Sequence, residues 1–364
     1  MIKINFLLPF AGRRPVGGFK VVYEYANRLA ESGYDVSVTY PASLLFGERT
    51  CKEKIRSLLR YAYYILTKNY KCNSWFALNA KVKEQMTWCL SEKFVPKADI
   101  FFATAVETSE YLAKYKNISS DAKFYLIQHF EAWFFSEERV KKSYHLPLQK
   151  IVIAQWLEDL VKAEGETCTL IHNGFDFDFF TKIIDFKEKD KYKVTMLYHI
   201  LKWKGCDDAF EALNLVKAKY PQLTVNIFGF PARPKDLPQW YNYFQTPDKA
   251  TLNKVYNESA IFISASHGEG FCLTPPEAMM CGCAIACTDI GGFTVVCKDD
   301  KTALLSPAHH PDLLAQNIIR LIEDDELRLR IAETANDFIK SFTWDDAYAK
   351  LKKLLQMREE HSIN

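Results

Sequence analysis

The chain switches twice between short continuous apolar runs and longer segments with helical spacing. KINFLLPF, close to the amino terminus, is the unbroken apolar run expected of a central parallel strand. GRRPVGGF follows as a glycine-containing loop. KVVYEYANRLAESG then places Val21, Val22, Tyr25 and Leu29 on one helical face and stops at Gly33. DVSVTY alternates as a strand, which completes a βαβ opening. DIFFATA (99–105), KFYLIQHF (123–130), KIVIA (150–154) and TLIHN (169–173) predict further strands. The charged stretch KIIDFKEKDKY (182–192) breaks the rhythm and predicts a surface linker.

A second series begins there. VTMLYHI, LTVNIFGF, AIFISAS and CAIACTD read as strands, with helices over CDDAFEALNLVKAKY and near KATLNKVYNES. Helices cover 311–342, and another runs from Asp345 to about Met357. The fold class is therefore α/β, with two Rossmann-like domains whose parallel sheets face each other across a cleft. The boundaries expected are 1–172 and 173–344, with a closing helix at about 345–364 joining the first domain.

Composition narrows the classes. A chain of 364 residues, 48% hydrophobic and 25% charged, has enough apolar material for two ordinary cores. A net charge of +2 implies no wholesale nucleic-acid binding. Ten cysteines in this length are not a small disulfide scaffold. Cys281, Cys283, Cys287 and Cys297 cluster without a common zinc spacing, so they read as buried reduced thiols, which favours a cytoplasmic location. MIKINFLLPFAGRRP places its charge after a short apolar run and reads as a first strand, not a signal peptide.

The chemistry concentrates in HGEGFCLTPPEAMMCGC, residues 267–283. It follows an apolar run ending in small residues, so it sits at the carboxyl end of a strand, where open α/β sheets bind ligands. Gly268 and Gly270 flank Glu269 and suit close backbone approach or positive φ. Thr274, Pro275, Pro276 and Glu277 have the Thr-x-x-Glu spacing of a capping box, with proline at the first helical turn. A helix start there offers backbone N–H groups to an anion. The plain alternative makes Glu277 a cap and Glu269 a solvated loop acid; it leaves the two glycines unexplained.

Glu269 and Glu277 in the setting EGF-x-L-x-x-x-EAM-x-CG, followed by a strand and Gly291-Gly292, resemble the family-4 retaining glycosyltransferases of the GT-B fold. Lys204-Gly205 matches the family's Arg-x-x-x-x-Lys-Gly element, NGFDFDFF (173–180) its interdomain segment, Gly17-Gly18 its amino-terminal glycine loop, and FTWDDAYAKL its closing helix. YLIQHFEAWFF (125–135) is similar to a subgroup that includes rhamnosyltransferases of bacterial surface polysaccharides.

The resemblance implies roles. Glu269 would grip hydroxyls of a donor sugar and Glu277 the nucleotide ribose. The backbone of Gly270, Phe271, Cys272, Leu273 and Thr274 would hold sugar and diphosphate. Lys204 would neutralise the leaving diphosphate. His129 would face the donor sugar with Glu131 close by, Gly17 and Gly18 would admit diphosphate or acceptor, and Phe244 and Gln245 would contact the base. No cofactor and no metal is expected, only a nucleotide-diphosphate sugar as donor. One position departs: the family arginine is His199 here, preceded by Tyr198 in place of glycine. Either His199 is partly protonated, or Lys202, Arg13 or Arg14 supplies the missing charge. Asp176 and Asp178 form an Asp-x-Asp, a metal motif of the other large glycosyltransferase fold, but their setting reads as the connector.

Transfer would retain anomeric configuration by a front-face, leaving-group-assisted route, to a saccharide or lipid-linked acceptor in surface glycan synthesis. Glu131 and Glu107 are the carboxylates left for a nucleophilic route. The rivals are a catalytically weak or inactive sugar- or nucleotide-binding partner subunit and a nucleotide-sugar epimerase. A phosphorylase would need a longer chain, and a nicotinamide oxidoreductase would need G-x-G-x-x-G after the first strand.

Residues 51–71 stand apart. Ile55, Leu58, Leu59, Ala62, Ile65 and Leu66 form one helical face, with Lys52, Arg56 and Arg60 on another. Peripheral contact with the inner face of the plasma membrane and simple packing on the first sheet both fit this pattern.

Overall fold

In the computed structural model, which describes residues 1–44 and 50–363 and side chains as far as Met357, the chain forms two units. One is 1–173 together with 345–364; the other is 174–344. Asn364, the far end of the expected closing helix, lies outside the described residues.

The first unit begins with β1 (Lys3–Leu7), α1 (Gly17–Glu31), β2 (Asp35–Pro41), α2 (Cys51–Thr67) and β3 (Lys83–Thr87). β4 (Ile100–Ala103), α3 (Val106–Leu112), β5 (Lys123–Ile127), α4 (Glu137–Tyr144), β6 (Gln149–Val152), α5 (Gln155–Ala163) and β7 (Cys168–Leu170) complete its sheet. The strands are parallel in the order β3-β2-β1-β4-β5-β6-β7. Chain direction across the sheet therefore reverses between β1 and β4. Phe6, Phe102 and Phe124 stack across the three buried central strands, with ring centroids 4.7 and 4.9 Å apart.

The second unit contains β8 (Asp190–Leu197), α6 (Cys206–Lys219), β9 (Thr224–Gly229), β10 (Tyr241–Gln245), α7 (Lys249–Glu258) and β11 (Ser259–Ser264). It continues through α8 (Thr274–Met280), β12 (Ala284–Thr288), β13 (Leu304–Ser306), α9 (Pro311–Glu323) and α10 (Asp325–Ile339). Its parallel order β10-β9-β8-β11-β12-β13 is the doubly wound 3-2-1-4-5-6 arrangement, with the reversal between β8 and β11. α11 (Trp344–Ile363) returns to the first unit, where Leu351 lies among Phe6, Tyr25, Phe102, Leu126 and Ile151. Burying that one side chain contributes about 1.5–3 kcal/mol toward docking the helix, and Ala347 and Leu355 are buried beside it.

Two expectations are corrected. The stretch 182–192 is not wholly a surface linker: Asp190–Tyr192 open β8, and Lys189 is buried. Its Nζ donates to the carbonyls of Tyr256, Asn257 and Ser259 at 2.8–3.1 Å, so the buried ammonium has three acceptors where α7 passes into β11. α2 does not bury its apolar face either. Ser57 is its one buried residue, while Ile55, Leu59 and Leu66 are 59%, 66% and 83% exposed. The helix touches its unit through Ser57, which accepts from Trp88 Nε1 at 3.0 Å, and through Arg60, which donates to the Ala42 carbonyl at 3.4 Å.

Candidate active site

The loops after β8 and β11 leave the same carboxyl edge of the second sheet on either side of its reversal, the position at which such sheets bind ligands. Leu201 to Gly205 turns once through a short 3-10 segment, Lys202–Lys204, and Gly205 opens α6. Gly205 has φ +60, and a Cβ there would collide with the carbonyl of Ala265. Only glycine lets the two loops touch at that point.

This contact brings Lys204 to Glu269. Nζ lies 2.6 Å from Oε1, and the side chains are 22% and 14% exposed. Glu269 Oε1 also accepts from Ser266 Oγ at 3.0 Å. Burial alone pulls the Lys204 pKa down, but attraction and hydrogen bonding from Glu269 outweigh it and hold the ammonium above its ordinary value. Gly292, from the Gly-Gly after β12, fixes Glu269 from behind: a Cβ on it would collide with the Glu269 carbonyl and come within 2.6 Å of its Cβ.

Gly268 has no such neighbour; a Cβ there meets nothing within 4 Å. Neither Gly268 nor Gly270 has positive φ, so of the two reasons considered for these glycines, backbone conformation falls away. Phe271 stacks on Phe175 at 5.6 Å, and the Cys272 amide donates to the Gly292 carbonyl at 3.4 Å.

The expected capping box at Thr274 does not form. Leu273 is already in the helical region, and the Glu277 amide donates to its carbonyl at 3.2 Å, so Thr274 lies inside the helix. Thr274 Oγ1 instead meets Cys272 Sγ at 3.7 Å. Glu277 Oε2 accepts from Tyr256 Oη at 3.2 Å. The Pro275-Pro276 pair does occupy the first turn, and Gly282 ends the segment at φ +80.

His199 sits beside Lys204. Its Nδ1 accepts from the Leu201 amide at 3.1 Å, which puts the ring proton on Nε2. Burial first, and then the Lys204 charge, lower its pKa; Glu269 opposes them in part. Burial and the Lys204 charge both disfavour the charged ring. Lys202, one of the cations considered in its place, is exposed on the same turn. Phe244 and Gln245 end β10, at the outer edge of the sheet and two strands from β8, a step of about 10 Å.

In the first unit, His129 follows the carboxyl end of β5. Its ring lies edge-on to Trp133 at 3.7 Å, with Nδ1 3.1 Å from the Phe130 carbonyl. Glu131 Oε2 accepts from the Val106 amide at 3.1 Å, at the start of α3. Burial pushes its pKa up to about 7; the Val106 bond resists and Glu107 adds to it. Gly17 opens α1, and Gly18 packs against Gln128, whose Nε2 donates to the Gly18 carbonyl at 3.1 Å. Asp176 of the Asp-x-Asp is paired with Lys249 at 3.0 Å.

Sequence reading missed one group near the motif. His267, which opens the motif, donates from Nε2 to Asp208 Oδ2 at 2.8 Å, with His309 tilted against it at 3.7 Å between ring centroids. His267 was visible in the motif; the distant Asp208 and His309 gave no signal by spacing.

Residues 178–338 match the family model "Glycosyl transferases group 1". The chain is 26% identical over 236 residues to a D-inositol 3-phosphate glycosyltransferase of Jonesia denitrificans, covering 57% of this chain and 56% of that one. It is 27% identical over 167 residues to the enzyme of the same name from Corynebacterium efficiens, covering 42% and 39%. The chain thus spans about half the length of the curated relatives it matches. Among solved structures, HepE of Anabaena in complex with UDP and glucose superposes with a TM-score of 0.72 at 15% identity, covering 98% of this chain and 100% of that one. Sucrose-phosphate synthase of Thermosynechococcus elongatus gives 0.71 at 15%, covering 98% and 99%. These neighbours show the fold, two parallel-sheet α/β domains of the GT-B type, and the family match lies within the second unit alone.

Proposed function

We propose that the protein transfers a sugar from a nucleotide-diphosphate donor to a saccharide or lipid-linked acceptor, with retention of configuration. The observation that carries this reading is the Lys204–Glu269 pair at the sheet reversal of the unit that matches the group 1 model. A cation and a carboxylate held 2.6 Å apart compensate each other until a ligand offers both a better partner. A diphosphate would draw Lys204, and the hydroxyls of its sugar would take Glu269. HepE, with UDP and glucose bound, supports starting with UDP-linked sugars.

In this scheme the bond from the sugar's anomeric carbon to the diphosphate breaks as the acceptor oxygen bonds the same face. The acceptor's proton passes to the departing phosphate oxygen. Lys204 stabilises the charge that develops there, with the backbone N–H groups of 271–274. His199 contributes one hydrogen bond. Glu277 is assigned to the ribose, with Tyr256 orienting it. Phe244 and Gln245 are assigned to the base; His129, Glu131, Gly17 and Gly18 are the assigned residues of the first unit. No divalent cation is needed at the diphosphate, so added Mg2+ or Mn2+ leaves the rate of transfer unchanged.

α2 is assigned to an anionic membrane surface. Its apolar row is exposed, and Lys52, Lys54, Arg56 and Arg60 flank it, which complements acidic headgroups. Among the described residues no helix is long and apolar enough to cross a membrane. The acceptor would then be lipid-linked, at the cytoplasmic face, in surface glycan synthesis.

A histidine at position 199 whose charged form burial and Lys204 disfavour favours one second reading, a binding subunit with weak catalysis. Product formation from radiolabelled UDP-sugars with a membrane extract as acceptor separates the two. Transfer that disappears in Glu269→Gln supports the enzyme; donor binding without any turnover supports the binding subunit.

A further inference from the structure

Asp208, His267 and His309 come from the first turn of α6, the loop after β11 and the loop between β13 and α9. Each places one ligand atom within 4.8 Å of the other two. His267 Nε2 lies 2.8 Å and His309 Nδ1 3.9 Å from the same carboxylate oxygen, Asp208 Oδ2. Four-coordinate zinc with bonds of about 2.0–2.1 Å spaces its ligand atoms about 3.3–3.4 Å apart, so the two separations bracket that value.

A lone histidine on an aspartate is ordinary hydrogen bonding. Here a second imidazole lies on the first, with ring centroids 3.7 Å apart, and turns toward the same oxygen. His309 does so from the left-handed region, φ +64, which is unfavourable for a non-glycine residue. It is 68% exposed, so water can reach the remaining coordination positions.

We propose that Asp208, His267 and His309 bind a divalent transition-metal ion of the zinc type. Two imidazoles and one carboxylate suit Zn2+, Co2+ or Ni2+, whereas Mg2+ and Ca2+ prefer all-oxygen sets. The ion ties the loop carrying Glu269 to the first turn of α6, next to the Gly205 contact. His267 strengthens the case for a loop effect, because its amide already donates to the Trp203 carbonyl at 2.7 Å. The proposal does not depend on the transferase reading.

Co2+ titration of the reduced, untagged chain tests it, because cobalt reports its ligands by absorption. The expected result is one Co2+ per chain with visible d–d bands, no near-ultraviolet thiolate charge-transfer band, and loss of the bands when Zn2+ is added. His309→Asn keeps a residue tolerant of left-handed backbone at an exposed position and weakens Co2+ binding by roughly tenfold or more. Asp208→Asn weakens it likewise. A thiolate band, equal affinity in wild type and His309→Asn, or no binding overturns the proposal.

Discussion

Lys204 Nζ and Glu269 Oε1, 65 residues apart in sequence, form a 2.6 Å ion pair at the reversal point of the second sheet. Each is the other's main electrostatic partner, so removing one leaves the other half-buried and uncompensated. Their positions are set by glycines: Gly205 lets the two loops touch, and Gly292 backs Glu269.

Gly292→Ala and Gly268→Ala separate a packing glycine from an open one. Gly292→Ala forces the Glu269 backbone to move and should cost about 1–3 kcal/mol, with transfer falling further than stability. Gly268→Ala should stay within about 0.5 kcal/mol, since its Cβ meets nothing, so any loss of donor affinity there reports ligand contact. Thermal unfolding and donor titration of both variants check this.

Two Thr-x-x-Glu sequences had opposite outcomes. At Thr50 the box forms: Thr50 Oγ1 accepts from the Glu53 amide at 3.3 Å, and Glu53 Oε2 accepts from the Thr50 amide at 3.0 Å. Thr50→Ala should therefore weaken α2 by about 1 kcal/mol, read as faster amide exchange in that helix. Thr274→Ala removes no cap and should leave the unfolding temperature nearly unchanged.

That contrast marks what the sequence could and could not say. Strands with unbroken apolar runs, such as Lys3–Leu7 and Ser259–Ser264, were legible because they are central and buried on both faces. The edge strands Lys83–Thr87 and Tyr241–Gln245 carry mixed polar residues and left no such trace. Glu269 and Lys204 were legible as residues at strand ends, but not as a pair. Local spacing cannot tell whether Leu273 has already entered the helix, nor that Lys189 reaches three carbonyls across the fold.

Glu131 predicts a pH dependence. Its folded pKa is raised by burial to about 7 from an ordinary 4.5, so the folded state keeps a proton that the unfolded state loses. Stability from this group therefore falls as pH rises from about 4.5 to about 7, then levels off. Glu131→Gln should remove that slope, gaining about 1–3 kcal/mol relative to wild type across the window. Parallel unfolding curves for the two proteins from pH 5 to 8 would refute it.

α2 predicts an electrostatic membrane contact. Wild type should sediment with phosphatidylglycerol vesicles and not with phosphatidylcholine alone. Arg56→Glu with Arg60→Glu should abolish it, and Leu59→Ser with Leu66→Ser should weaken it without changing the fold, because both leucines are exposed. Unchanged sedimentation of the charge-reversed protein rules the helix out.

The most direct test of the central claim is a thermal-shift panel of UDP-, GDP-, dTDP- and ADP-sugars on wild type and Lys204→Ala side by side. One donor class should raise the wild-type unfolding temperature, and the variant should lose most of that shift, matching a drop in affinity of roughly tenfold for a lost charged contact. No stabilisation of the wild type by any donor, or the same shift in both proteins, would contradict the assignment of Lys204 and Glu269 to a nucleotide-sugar site.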